Sequence, residues 1–405
     1  MSTAVIVADD LTGAADSCAT FVSHGLSGAV TFDVGGTRAE AAVIAVSTDS
    51  RARSTAIAVE RVREAVRFAA AFHDRALLFK KIDSTLRGHV GDEVRAAMEA
   101  SNARVAIVAP AFPAMGRTVE QGMLRTTGPG ALPPRHVANR LESHGVRGCR
   151  RIARPASAAD AAQGHDRWHD RMSDAIRSGA RALICDSVDD TDLDGIVEGA
   201  WTLDGPVLWV GSAGLAGALA RRMGTPPAAA DTAVNTQAEA GSRDAAAIGH
   251  GASGPVIMWI GSHHPATVAQ QQFLASGKPP VAIVSEAEID AATESLDRGT
   301  HVLVDISRHS ANEVIARMVA AVVDRPLAGF VMSGGDTAAR VCRMLDASCI
   351  ELGGEVSRGV PWGWLRTRAG RRWPVVLKSG GFGGEDALHH ALGCLSGARS
   401  ERREG

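Results

Sequence analysis

The segment Asp9-Asp10-Leu11-Thr12-Gly13-Ala14-Ala15-Asp16 sets two adjacent carboxylates behind an apolar run, Ala4–Ala8, and ahead of a helical pattern. At the carboxyl end of a strand, such groups can accept hydrogen bonds from ligand hydroxyls, or one can serve as general base. The plainer alternative is that one aspartate caps the helix and the other is solvated. Ser47-Thr48-Asp49-Ser50-Arg51 follows a second apolar run, where Arg51 could grip a carboxylate with two parallel hydrogen bonds. Lys80-Lys81-Ile82-Asp83-Ser84-Thr85-Leu86-Arg87-Gly88 follows a third and concentrates charge and hydroxyls in one turn. Asp9, Asp10, Arg51, Lys81, Asp83, Ser84, Thr85 and Arg87 are thus the expected polar ligand site. Pro110–Thr118 adds a rigid turn carrying Arg117.

A different grammar governs the second half: an apolar run, then Gly or Ser, then a helical pattern. It occurs at Gly261-Ser262, at Ser333-Gly334-Gly335-Asp336-Thr337 and at Ser379-Gly380-Gly381-Phe382-Gly383-Gly384, and once in the first half at Gly211–Gly214. Glycine lets the backbone approach an anion, and helix N-terminal amides favour phosphate. Any one such turn is ordinary, but several together point to a phosphate-bearing ligand. Neither GxxxxGK[ST] nor GxGxxG is present, which counts against a P-loop enzyme and a nicotinamide-dependent dehydrogenase. No HExxH or Cys/His zinc spacing occurs, His263-His264 singles out no metal, and Gly211–Gly214 has the wrong spacing for a hydrolase elbow.

These residues need strand ends to hold them. Ala4–Ala8, Ala29–Phe32, Val43–Val46, Leu77–Lys81, Val105–Ala109, Ala182–Cys185 and Val207–Val210 read as buried strands, with amphipathic stretches at Ser54–Ala71, Gly91–Ser101 and Leu193–Ala200. Val256–Ile260, Val281–Val284, Val302–Ile306, Phe330–Ser333 and Val375–Lys378 continue the series, with helices expected over Asn312–Val323 and Ala338–Ala347. Alternating strands and helices predict an α/β fold of two domains, each a mainly parallel sheet flanked by helices, with the active site in the cleft between them. The expected boundaries are 1–224 and 255–395, with a Gly/Ala/Ser/Thr-rich linker at 225–254 and a polar tail at 396–405.

A length of 405 residues agrees with two domains, and a net charge of −2 gives no footprint for nucleic acid or membrane. Aromatics make up 4% and Tyr is absent, so stacking platforms for single strands are missing. Six scattered cysteines without CxxC spacing predict free, mostly buried thiols and a cytoplasmic protein.

ADDLTGAAD, KKIDSTLRG, PAFPAMGRT, VMSGGDTA and LKSGGFGGEDAL together resemble, in order and spacing, the four-carbon acid sugar kinase family, from Val5 to about Leu392. The resemblance implies an N-terminal sugar-acid domain and a C-terminal nucleotide domain that use ATP to phosphorylate the terminal hydroxyl of threonate, erythronate or a 3-oxo-tetronate. It implies that Ser262, Gly334, Gly335, Asp336, Thr337 and Gly381, beside Gly380, lie against ATP. It places Asp10, Arg51 and the Lys81–Arg87 turn against the sugar acid. Mg²⁺ is expected on the ATP phosphates with Asp336 as its protein ligand, and Asp10 or Asp83 as the group that orients or deprotonates the hydroxyl. The rival readings are a non-catalytic sugar-acid-binding protein and a hydroxy-acid dehydrogenase. Neither the preferred acid nor a homo-oligomeric state follows from the sequence.

Overall fold

The computed structural model describes residues 3–32, 40–72, 76–128, 131–155, 164–224, 253–277, 279–285, 288–306 and 311–397. The expected linker, except residues 253 and 254, and the expected tail, except 396 and 397, lie outside the described residues. The chain forms two units.

The first unit is built on strands β1 (Ala4–Ala8), β3 (Val43–Ser47), β4 (Leu77–Lys81), β5 (Val105–Ala109), β9 (Cys149–Ile152), β10 (Ala182–Cys185) and β11 (Val207–Gly211). They lie in the order β3-β1-β4-β11-β5-β10-β9, and each adjacent pair is parallel. β1, β3, β5 and β10 are buried at every position, as strands covered on both faces must be. Register then does the positioning: Ala8 lies level with Ser47 and with Lys81, and Gly211 is level with Lys81 and Ala109. All the expected ligand turns of this half therefore leave one edge of one sheet.

Helices pack close to that sheet where the sequence supplies small residues. Leu11–Val22, rich in Ala, Gly and Ser, is almost wholly buried and starts at Asp10, whose carboxylate accepts from the Gly13 amide. Val90–Ser101 carries Asp92 and Glu93 in its first turn, matching the helix dipole. Glu93 is 1% exposed and pairs with the fully buried Lys80 at 2.9 Å, and its other oxygen accepts from the Ser50 hydroxyl at 2.6 Å. One buried ion pair thus ties the end of β4 and the turn after β3 to a helix.

A small antiparallel sheet, β6 (Arg117–Glu120), β7 (Met123–Thr126) and β8 (Arg135–His136), was not anticipated. Its hairpin turns at Gln121-Gly122, both at positive φ (52° and 73°), a two-residue turn whose signal was passed over because its strands are short and polar.

The second unit has β12 (Val256–Ile260), β13 (Val281–Val284), β14 (His301–Asp305), β15 (Gly329–Ser333), β16 (Ala347–Ser357), β17 (Val360–Thr367) and β18 (Arg372–Lys378). The run β13-β14-β12-β15-β18 is parallel, and β17 and β16 continue it antiparallel. Beside β16 lies β2 (Gly28–Thr31), which packs with this unit. By compactness, residues 29–32 group with this unit, and residues 3–28 and 40–224 group with the first. The β16–β17 hairpin also escaped the sequence reading. Gly353 and Pro361 disguise it, yet Trp362 needs that glycine, since a Cβ there would lie 2.2 Å from the indole. Ile260, Asp305, Ser333 and Lys378 end level, so the three glycine turns of this half share one sheet edge. Among the described residues, no helix is long and apolar enough to cross a membrane.

The Lys80–Glu93 pair yields a prediction. Glu93→Ala leaves an ammonium buried without its counter-charge and should cost about 3–5 kcal/mol, whereas Lys80→Met/Glu93→Leu should cost far less. Urea unfolding of the two variants checks this, and equal losses would contradict it.

Candidate functional site

In the first unit, the strand-end residues form a single ionic cluster around Arg51. Its guanidinium grips Asp9 with two parallel bonds (Nε to Oδ2 at 2.7 Å, Nη2 to Oδ1 at 2.8 Å) and donates to Asp10 Oδ2 at 2.8 Å. Asp83 Oδ1 lies 3.6 Å away. Gly88, at φ 81°, closes over the pair: a Cβ there would sit 3.3 Å from both Arg51 Cγ and Asp9 Oδ2. Burial alone would weaken the guanidinium, but Asp10, Asp9 and Asp83 outweigh it and hold Arg51 well above its usual pKa. Burial likewise opposes ionisation of Asp9, and Arg51, with Lys80 and Lys81, overcomes it and keeps the carboxyl below its ordinary range.

Asp83 anchors its own turn. Its Oδ2 accepts from the Thr85 amide (3.0 Å), the Thr85 hydroxyl (2.5 Å), the Arg87 amide (3.2 Å) and Arg87 Nε (3.0 Å), and Oδ1 accepts from Arg87 Nη2 (2.7 Å). Burial raises its pKa, but Arg51, Arg87 and Thr85 carry it far below the usual carboxylate value. The turn is held from outside by Arg135, which donates to the Thr85 carbonyl at 2.8 Å, and by Arg140, which donates to the Gly88 carbonyl at 2.6 Å.

The structure places Asp9, Asp10, Arg51, Lys81 and Asp83 at one sheet edge, and several of them pair with one another. Arg51 was expected to face a ligand's carboxylate, and in the structure its fork is closed on Asp9 and Asp10. Arg87 was expected to do likewise, and it is committed to Asp83. Lys81 differs: it is 5% exposed, and its ammonium makes no hydrogen bond or ion pair among the described residues. Its neighbourhood is shown by Gly13, where a Cβ would come within 2.4 Å of Asp10 Oδ1 and 3.0 Å of Lys81 Nζ. The half-buried Ser84 hydroxyl is also without a hydrogen bond among the described residues.

In the second unit the three glycine turns interlock. A Cβ on Gly261 would lie 1.9 Å from Thr337 Oγ1, one on Gly380 2.0 Å from Ser262 Oγ, and one on Gly381 3.3 Å from His264. Gly334, at φ 100°, caps the Gly335–Met344 helix with no side-chain acceptor. The amides of Gly335, Asp336 and Thr337 are thus left for another acceptor. Ser333 Oγ, just before that turn, is fully buried and has no hydrogen-bond partner among the described residues. Thr337 is buried against Gly261, whereas Asp336 is exposed in the first helical turn. A phosphate chain, with its many acceptor oxygens, suits this donor set. Among the described residues no group of three or more His, Cys, Asp or Glu could hold a metal. A single carboxylate such as Asp336 fits a divalent ion carried largely by phosphates.

Lys378, Thr267, Gln270 and His264 around the third turn were missed. Lys378 is fully buried, and burial pushes its ammonium down to about 7. The available signal was a lysine closing an otherwise apolar strand, VVLK, which also marks Lys80 in LLFKK.

The chain is thus an α/β protein with a cation–carboxylate cluster at one sheet edge of its first unit and open backbone amides at one sheet edge of its second. Residues 4–219 match the family model of a sugar-binding N-terminal domain, and 262–388 that of a nucleotide-binding C-terminal domain. The chain is similar to a D-threonate kinase of Bordetella bronchiseptica (34% identity, covering 95% of this chain and 96% of that one). It is also similar to a D-threonate kinase of Cupriavidus necator (32%, covering 98% and 99%). A 3-oxo-tetronate kinase of Methylobacterium radiotolerans is 32% identical (96% and 98%). The fold is shared with crystal structures of a Salmonella typhimurium protein (TM-score 0.75, 22% identity, 96% and 99% covered) and a Haemophilus influenzae protein (0.70, 20%, 96% and 100%). The chain belongs to the four-carbon acid sugar kinase family.

The Arg51 cluster sets an acid limit on stability. Asp9 and Asp83 have folded pKa values below their unfolded ones, so their contribution is present above about pH 4 and is lost as pH falls through the folded values. Arg51→Ala removes the largest single opposition to burial at both carboxyls, which raises those values. Acid unfolding should then begin at higher pH, and stability at pH 7 should fall by about 3–5 kcal/mol. A variant whose acid limb superimposes on the wild type would refute this account.

Proposed function

We propose that this chain is an ATP-dependent kinase that phosphorylates the terminal hydroxyl of a four-carbon sugar acid, with threonate, erythronate and 3-oxo-tetronates as the candidates. The acid is assigned to the first unit and the nucleotide to the second. The observation that carries the acid assignment is Lys81, a buried cation with no protein counter-charge in contact, at the sheet edge that also offers Asp10 and Ser84. An ammonium in that position is costly unless an anion meets it. The kinase names of the relatives and the matched nucleotide-binding domain support the reaction class.

Within this reading Lys81 holds the carboxylate, and Ser84 with the Asp9–Asp10 pair addresses hydroxyls along the short chain. Thr85 and Arg87 shape the turn through Asp83. Of the two aspartates that could orient the attacking hydroxyl, the chemistry favours Asp10. Asp83 already accepts five hydrogen bonds and is held strongly ionised, which makes it a poor base. Asp10 accepts three, from Gly13, Thr12 and Arg51, and its side chain is the most exposed of the three carboxylates at 11%, against 4% for Asp9 and 7% for Asp83. Phosphoryl transfer asks mainly for positioning and charge neutralisation, so an orienting carboxylate suffices.

On the nucleotide side, the amides behind Gly334 and Ser262 with the Gly380-Gly381 turn would receive the phosphates. Mg²⁺ on those phosphates would neutralise charge there, and Asp336 is the residue that would hold it. None of the six cysteines is in a disulfide.

A coupled ADP-release assay over tetronates, oxo-tetronates and their matching polyols tests the reaction. Turnover on an acid and none on erythritol or threitol is expected, and equal kcat/KM on an acid and its polyol would overturn the acid reading. Lys81→Met should lower acid kcat/KM by about a hundredfold or more while leaving nucleotide KM nearly unchanged. Gly335→Val should show the opposite pattern, because a side chain there obstructs the amides that receive phosphate.

A further inference from the structure

The turn after β18 is held from beneath by two buried side chains that the reaction has not yet used. Lys378 Nζ donates to Thr267 Oγ1 (3.2 Å) and to the carbonyls of Ser379 (3.1 Å), Gly380 (3.2 Å) and Phe382 (3.3 Å). Gln270 Nε2, on the Pro265–Ala275 helix and 1% exposed, donates to the carbonyls of Phe382 (3.1 Å), Gly383 (3.1 Å) and Gly384 (2.8 Å). Thr267 Oγ1 adds a bond to the Gly380 carbonyl at 2.7 Å. No carboxylate is among these partners, so the donors of an ammonium and an amide go to backbone oxygens and one hydroxyl, while Gln270 Oε1 has no partner among the described residues.

The consequence follows from peptide geometry. In a planar trans peptide the carbonyl of one residue and the amide of the next point in opposite directions. Drawing the carbonyls of Ser379, Gly380, Phe382, Gly383 and Gly384 onto Lys378 and Gln270 therefore turns the amides of Gly380, Gly381, Gly383, Gly384 and Glu385 away from them. A run with four glycines has no such preference of its own, since glycine samples both halves of φ space and loses much entropy on ordering. The order comes from the two side chains below.

We propose that Lys378 and Gln270 are positioning residues that fix the 379–384 turn with its amides presented to the phosphates of the nucleotide, and so set nucleotide affinity without touching the nucleotide. This rests on the assignment of nucleotide to the second unit. The shared Phe382 carbonyl makes the two residues one device, so their effects should not be independent.

The test uses the full chain with Lys378→Met, Gln270→Met, the isosteric Gln270→Glu and the double Met variant. Nucleotide KM, acid KM and kcat are measured at saturating co-substrate, together with thermal unfolding. Each Met variant that unfolds cooperatively should raise nucleotide KM about tenfold or more, with acid KM within about twofold. Gln270→Glu should do no better than Gln270→Met, because it keeps the size and loses the donors. The double variant should fall short of the product of the singles. Folded variants with unchanged nucleotide KM, or with acid KM raised equally, would overturn the inference. If Lys378→Met fails to fold, the Gln270 variants decide on the same criteria. A wild-type protein that neither turns over nor is thermally stabilised by ATP would instead remove the nucleotide assignment, and this inference with it.

Discussion

Arg51 is one guanidinium shared by three carboxylates from two strand ends, and the first unit's ligand edge depends on that sharing. Asp9 and Asp10 leave β1 side by side, and Asp83 leaves β4 one strand away. Without a cation between them, three negative charges would face each other in a nearly dry space. Arg51 enters from the turn after β3 because Ser47, Ala8 and Lys81 end level in the sheet. The price of that arrangement is that Arg51 is not free for a ligand. Lys81 differs in that its charge is buried beside the cluster but outside its hydrogen bonds.

The two units use the same device under different ligand edges. Each closes an apolar strand with a lysine that turns inward: Lys80 at the end of β4 and Lys378 at the end of β18. Lys80 meets Glu93 and, through it, Ser50, and it also donates to the carbonyls of Val7 and Lys81. Lys378 meets only oxygens of the backbone and of Thr267. Without a counter-charge, the Lys378 ammonium bears its desolvation penalty unrelieved and its pKa falls. Both lysines bond backbone carbonyls at the end of their strand from the buried side.

The division of labour between the units follows from their donor chemistry. The first edge carries side-chain charges in mixed array, suited to a small molecule with one carboxylate and several hydroxyls. The second carries backbone amides exposed by glycine, suited to phosphate oxygens. Membership of the sugar acid kinase family joins the two, and the pairing of a sugar-binding with a nucleotide-binding domain is what such a reaction requires.

Much of this was legible in the order of residues. β1, β4, β5 and β10 fall where unbroken apolar runs place them, and the turns that follow were recognised as ligand turns from their composition, because strand identity and turn chemistry are local properties. The hairpin of β16 and β17 and the small sheet at Arg117–His136 were not legible, since their glycines, prolines and arginines read as loop until a partner strand supplies the ladder. β2 lies in the first half of the chain, yet residues 29–31 of it group with the second unit, which no local pattern announces. The same limit applied to charge. Sequence assembled Asp9, Asp10, Arg51, Lys81, Asp83 and Arg87 into one site, but it could not tell that Arg51 and Arg87 are occupied and Lys81 is not. Arg87 and Asp83 are only four residues apart, but Arg51 pairs with Asp9 across 42 residues, and that is settled by strand register and burial, which bring a guanidinium to one carboxylate within 2.7 Å and leave an ammonium nearby without one.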